Sequence, residues 1–184
     1  MRDITRRMAL LGAAGALAAP ALARAAAPVN AWQFSFPSIE DGVLNFADDR
    51  GRVLLVTNTA SFCGFTYQYE GLEKLHAELT PKGLTVIGMP SQDFGQESDA
   101  NGKVKAFCDA TFGVQFPMTG LQHVRGAQAN AFYQWVKAQK DWEPSWNFNK
   151  VLIGRQGQIL GTYGSTDEPY GRVLTAAIDA ALKA

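Results

Sequence analysis

Two cysteines and two histidines are the whole stock of thiols and imidazoles in this 184-residue chain. His76 and His123 stand at no ligand-type spacing from each other or from a cysteine, which argues against a zinc or other metal site. Each is expected on a helix surface or in a loop. Two thiols are too few for a disulfide-built scaffold, although they permit one disulfide in an exported protein. Lysine and arginine form no run, and the formal net charge of zero gives no basic surface for a nucleic acid. No linker, repeat or low-complexity segment divides the chain. Gly154 and Gly157 bracket a hairpin turn and lack the strand-to-helix setting of a phosphate-binding loop.

The first 25 residues read as an export signal rather than as part of the fold. Arg2, Arg6 and Arg7 precede an apolar stretch over 8–22, and Ala23, Arg24 and Ala25 form a small-x-small cleavage site. Cleavage after Ala27 fits the same rule. The adjacent Arg6 and Arg7, between Thr5 and Met8, resemble a twin-arginine signal, with an ordinary secretory signal as the alternative. The apolar stretch falls short of the roughly 20 residues that span a bilayer, which disfavours a retained membrane anchor. The expected location is the periplasm. Residues 26–184 then form one domain, and beyond residue 25 the chain carries 13 basic and 16 acidic residues.

Hydrophobic patterning predicts an α/β order. Short strands are expected at 34–39 and 43–46, joined around Glu40, Asp41 and Gly42. Val53–Thr59 is apolar and β-branched, as in a strand buried on both faces. A helix follows at 70–79, where Leu72, Leu75, His76 and Leu79 recur at three- and four-residue spacing before Pro81 and Gly83. A strand at 84–89 completes a strand–helix–strand unit, whose strands should be parallel and whose crossover should be right-handed. Further elements are a helix at 103–111 stopped by Gly113, a strand-like segment at 115–118, a helix at 129–140, strands at 150–153 and 158–163, and a helix at 171–182. The order describes a sheet covered by helices on both faces.

Cys63 lies where the strand Val53–Thr59 gives way to that first helix. A sulfur in the first turn of a helix meets unpaired backbone N–H groups and the positive end of the dipole, and both favour the reactive thiolate. Free cysteines are also among the most buried and inert residues, so a packing role stays open.

Four ordered blocks resemble the glutathione peroxidase family, a branch of the thioredoxin-fold peroxidases. They are Asn58 to Thr66 around Cys63, Gly88 to Glu97, Phe107 to Met118 around Cys108, and Trp146 to Lys150. The resemblance implies a central mixed sheet with helices on both faces and an N-terminal β-hairpin. It also implies reduction of hydrogen peroxide or organic hydroperoxides, with Cys63 passing through a sulfenic acid where some relatives carry selenocysteine. Cys108 occupies the position of a resolving cysteine, giving a Cys63–Cys108 disulfide that a thioredoxin-like donor or glutathione reduces; a buried helix residue is the alternative. Their 45-residue separation on different helices places the sulfurs out of disulfide reach, so the Cys108 helix must loosen in each cycle.

Trp146 and Asn147 resemble the family's neutral donors around the reactive sulfur. The family's glutamine position holds Asp93, with Gln92 one place earlier and a loop one residue shorter than usual. A charged Asp93 beside Cys63 would disfavour thiolate. Three arrangements are open: Asp93 protonated or turned toward a backbone N–H, Gln92 supplying the amide, or reliance on Trp146, Asn147 and backbone alone. Ser91 replaces an additional cysteine of some relatives. No cofactor or metal is implied; a thiol reductant is the co-substrate. The insertion typical of tetrameric relatives is missing near 129–146, which implies a monomer or small homo-oligomer with an open site. Lys137 and Lys140 are too few to grip glutathione, which favours thioredoxin-type donors. A non-enzymatic peroxide sensor, or a disulfide relay to a partner, is the rival reading. A dithiol oxidoreductase is disfavoured because Thr66 stands where a Cys-x-x-Cys motif needs its second thiol.

Overall fold

The computed structural model describes residues 29–184; the expected export signal, including Arg6 and Arg7, lies outside them. An antiparallel hairpin, β1 (Ser35–Pro37) and β2 (Val43–Asn45), precedes a four-stranded sheet. The sheet order is β4 (Leu84–Pro90), β3 (Val53–Thr59), β5 (Lys150–Ile153), β6 (Ile159–Tyr163). β3 and β4 run parallel, as the strand–helix–strand reading requires, while β3–β5 and β5–β6 are antiparallel. The sheet is therefore mixed.

Alternation along β3 sorts the core into two layers. Val53 and Leu55 face α1 (Gln68–Leu79), α2 (Asn101–Phe112) and α4 (Arg172–Lys183), packing with Leu72, Leu75, Val104, Leu174 and Ile178. Leu54 and Val56 face the opposite layer, where α3 (Ala131–Lys140) supplies Phe132 and Val136, β1 supplies Phe36 and the turn after β2 supplies Phe46. Helices thus cover both faces. The helix ends follow local chemistry: the Asn130 side chain accepts the Tyr133 N–H at 3.0 Å to start α3, and Gly113 at φ 60° stops α2 in the left-handed region.

The segment expected as a strand at 115–118 makes only single bridges, Gly88 with Met118 and Ser38 with Thr119. Pro117 has no N–H to donate, so a ladder cannot extend through it. Its carbonyl accepts the Gly88 N–H at 3.0 Å, and Thr119 N donates to Gly88 O at 2.9 Å, covering the edge of β4. Glycine at 88 allows this close approach: a Cβ there would lie 3.1 Å from both Met118 Cγ and Phe116 Cε2, so both side chains would have to give way.

At the start of β5 a fully buried lysine joins three parts of this layer. Lys150 Nζ donates to Gln68 Oε1 on α1 at 2.6 Å and to the Asp167 carbonyl at 2.7 Å. Burial lowers its ammonium to about 8, against the opposing pull of Asp167 and Glu168. The unfolded chain holds that proton to about 10.4, so between these values unfolding takes up a proton and stability rises with pH. Urea titrations of wild type and Lys150→Met across this window should show the wild type gaining on the variant by on the order of 2 kcal/mol. Parallel pH curves would contradict the burial argument.

Candidate active site

β3 ends at Thr59, and Ala60, Ser61 and Phe62 carry the chain to Cys63, a free thiol that is 7% exposed. Cys63 does not lie in the first turn of α1. Gly64, Phe65, Thr66 and Tyr67 intervene as successive tight turns, with Thr66 N donating to Cys63 O at 3.0 Å and Gln68 N to Phe65 O at 2.9 Å. Thr66 is the local cause: its hydroxyl accepts the Cys63 N–H at 3.1 Å and donates back toward the Cys63 carbonyl, closing a turn before the helix begins. The sulfur consequently accepts one turn amide, the Phe65 N–H at 3.4 Å, in place of the free amides of a helix end.

Asp93 is turned away from Cys63, one of the three arrangements left open by the sequence. Its carboxylate accepts the Val124 N–H at 2.6 Å and the Arg125 N–H at 3.2 Å, and lies 2.7 Å from His123 Nδ1. Asp93 thus anchors the 123–125 loop, and His123 sits in that loop as expected. Gln92 does not supply the amide either: it is exposed and faces Leu121, Gln122 and His123. Ser91 is buried and accepts the Asp93 N–H at 3.2 Å, which fixes this turn.

The amide beside the site belongs to Gln96, a residue the sequence reading passed over. Its backbone carbonyl accepts the Phe62 N–H at 3.0 Å, and its Oε1 accepts Asn147 Nδ2 at 2.9 Å. Gln96 stands in the second of the four sequence blocks, and that was the available signal. Asn147 is fully buried, with its Oδ1 unpartnered and its carbonyl receiving Ser165 Oγ at 2.6 Å. Trp146 is 39% exposed, and its ring packs on Phe94 with centroids 5.4 Å apart. Asn58 holds this segment by donating to Trp146 O at 3.0 Å and accepting the Asn149 N–H at 3.0 Å.

Cys108 lies on the inner face of α2, free and 1% exposed, in the same apolar cluster as Cys63 and Tyr69. Burial pushes its thiol up to about 11, with Tyr69 pulling the other way. Among the described residues no three His, Cys, Asp or Glu side chains gather as metal ligands.

A family model described as glutathione peroxidase matches residues 31–137. The chain belongs to the glutathione peroxidase family. It is accordingly a peroxidase of the oxidoreductase class, in a family that supports peroxide reduction by a cysteine. It is similar to the glutathione peroxidase-like peroxiredoxin gpx1 of Schizosaccharomyces pombe, with 39% identity across 72% of this chain and 88% of the relative. Similarity to the hydroperoxy fatty acid reductase gpx1 of Synechocystis is 36% across 74% of this chain and 87% of that protein. The apo crystal structure of Trgpx superposes with a TM-score of 0.67 at 32% identity, covering 85% of this chain and 97% of the other. A putative DsbE from Chlorobium tepidum (TM-score 0.60, 21% identity, 83% of this chain and 95% of that one) shares the fold alone.

Asp93→Asn should weaken the bonds to Val124 and Arg125 and lower stability by about 1–3 kcal/mol, as for other charge-assisted hydrogen bonds, without changing the alkylation rate of Cys63. Gln96→Leu should change that alkylation rate, because it strips the Asn147 amide of its partner. Denaturant melts and iodoacetamide kinetics on both variants check the pair. A large alkylation effect from Asp93→Asn alone would return Asp93 to the site.

Proposed function

We propose that this protein is a two-cysteine thiol peroxidase acting on hydrogen peroxide or organic hydroperoxides. The Cys63 sulfur attacks one peroxide oxygen, the O–O bond breaks, and the other oxygen leaves as water or an alcohol with the thiol's proton. Cys63 becomes a sulfenic acid. Cys108 then attacks that sulfur, forming a disulfide and releasing water, and a thioredoxin-like donor or glutathione supplies the two electrons that restore both thiols.

The observation that carries this reading is the placement of two free thiols in one buried cluster, Cys63 after β3 and Cys108 inside α2. No other cysteine exists in the chain to resolve the first. Burial holds the Cys108 thiol near 11, so attack requires α2 to loosen and bring the sulfur into a more polar setting. Phe62, 64% exposed and adjacent to Cys63 in the chain, offers an apolar surface suited to organic hydroperoxides. Neutral donors at the site, Trp146, Asn147 and Gln96, suit stabilisation of thiolate and of the departing oxygen. We further propose export to the periplasm, by the twin-arginine route, and action as a monomer or small homo-oligomer on a protein reductant.

Steady-state peroxide consumption with thioredoxin or glutathione tests the proposal. Cys63→Ser should abolish turnover. Cys108→Ser should still consume one equivalent of peroxide and then stall with thioredoxin, a loss on the order of 10²-fold or more in sustained rate. No turnover by wild type with either reductant would leave the sensor reading. Full thioredoxin turnover by Cys108→Ser would remove the resolving role.

A further inference from the structure

Glu97 takes no part in the chemistry above, yet among the described residues it is the one buried carboxyl. It is 8% exposed and lies on the loop between β4 and α2, next to the Gln96 carbonyl that is pinned to Phe62. Its Oε1 accepts the Ser98 N–H at 2.7 Å, while Oε2 is fully buried and unpartnered. The Ser61 hydroxyl and backbone N–H face this carboxyl without closing a hydrogen bond to Oε2. A buried carboxylate with one oxygen left unpartnered is costly, and perturbed groups of this kind cluster at functional sites.

The surroundings of Cys108 show why a proton acceptor is needed. Tyr69, from α1, faces its sulfur, Asp109 and Lys105 flank it on α2, and the Glu97 charge reaches it from the loop. Tyr69 is itself fully buried, and burial holds its hydroxyl well above its usual value. Asp109 is paired with Lys105 at 2.7 Å on the outer side of the helix. His76 packs against Phe116 and His123 pairs with Asp93, so neither imidazole serves the thiols. Glu97 remains.

We propose that Glu97 is the proton carrier of the resolving step, taking the proton of the Cys108 thiol and passing it to the oxygen that leaves Cys63. This deepens the two-cysteine reading and rests on it. The Cys108 sulfur supplies the electron pair of the new S–S bond, the S–O bond of the Cys63 sulfenic acid breaks, and the departing hydroxide takes the proton from Glu97 to become water. Cys108 is oxidised, the Cys63 sulfur is reduced, and Glu97 returns as carboxylate. Burial, which raises the proton affinity of this carboxyl above the ordinary range, brings donor and acceptor closer in strength. Glu97 lies ahead of α2, against Ser61 and next to Gln96, whose carbonyl is bonded to the Phe62 N–H, so it stays with the segment that leads into Cys63 while α2 loosens.

The test is single-turnover formation of the disulfide. Reduced protein is mixed with one equivalent of hydrogen peroxide across a pH series, quenched in acid, alkylated and weighed. Wild type should form disulfide at a rate that rises through an inflection above the usual glutamate value of about 4.3 and well below the Cys108 thiol. Glu97→Gln should lose that inflection and fall on the order of 10²-fold at neutral pH. Glu97→Asp, which retains a carboxyl, should keep an inflection. A Glu97→Gln rate equal to wild type, or slowed by the same factor at every pH as a packing defect would give, overturns the proposal. So does a wild-type profile without the inflection, however the variants fold. If wild type forms no Cys63–Cys108 disulfide at all, the two-cysteine reading itself fails, an outcome distinct from disulfide formation that is indifferent to Glu97.

Discussion

The site depends on one side chain in the sheet, Asn58. Fully buried near the end of β3, it uses both its backbone and its amide to hold the 146–149 segment. Its carbonyl accepts the Phe148 N–H at 2.6 Å, its N–H donates to the Asn149 carbonyl at 3.2 Å, and its side chain bonds Trp146 O and Asn149 N. Four bonds from one residue leave no buried amide group of Asn58 unpaired. They also hold Phe148 at φ 57°, a conformation a large side chain rarely takes, with its ring buried against Tyr69 at 5.2 Å. The strand that delivers Cys63 is thereby locked to the segment that delivers Trp146 and Asn147. From Asn147 the network continues to Gln96 on one side and through Ser165 to Asn149 and Gln68 on the other.

Against this rigid half stands a lightly held one. α2 buries only Val104 and Cys108, begins at Ala100 without a side-chain cap, and exposes most of its length. Polar ties secure it at the ends: Asn101 Oδ1 accepts the Leu121 N–H at 2.8 Å, and Lys105 reaches Glu40 on the hairpin at 2.8 Å. Beyond Gly113, Glu73 on α1 accepts the Gln115 N–H at 2.7 Å. Such exposed ties contribute modestly, so a helix held this way opens locally at little cost. Cys108 therefore sits on a lightly held helix, while Cys63 follows directly on the strand that Asn58 locks in place. This division fits a cycle in which one sulfur waits for peroxide and the other travels to it.

Much of the fold was legible because its signals are local. Val53–Thr59 and Lys150–Ile153 coincide with their expected limits, since apolar β-branched runs between turn residues leave little ambiguity. The 115–118 segment was misread because its apolar content resembles a strand while Pro117 forbids the ladder. Cys63 lies farther from the helix than its sequence position suggests because the local Thr66 turn, which postpones α1 to Gln68, is carried by an ordinary threonine with no distinctive pattern. Asp93 and Gln92 fill the right stretch of sequence, but Asp93 bonds Val124, Gln92 lies against residues 121–123, and Gln96 is the residue that meets Asn147. A residue's direction in such a loop is set by what it must bond to, here Phe62 for the Gln96 carbonyl and Val124 and Arg125 for the Asp93 carboxylate, and those partners lie far off in sequence.

Hydrogen–deuterium exchange across α2, in the reduced protein and after one equivalent of peroxide, is the most direct measure of whether a fixed thiol is met by a mobile one. Formation of the Cys63–Cys108 disulfide should be accompanied by loss of amide protection over residues 101–112, while β3 and the 146–149 segment keep theirs. A disulfide formed with α2 protection unchanged, or oxidation of Cys63 that never reaches Cys108, would contradict the account.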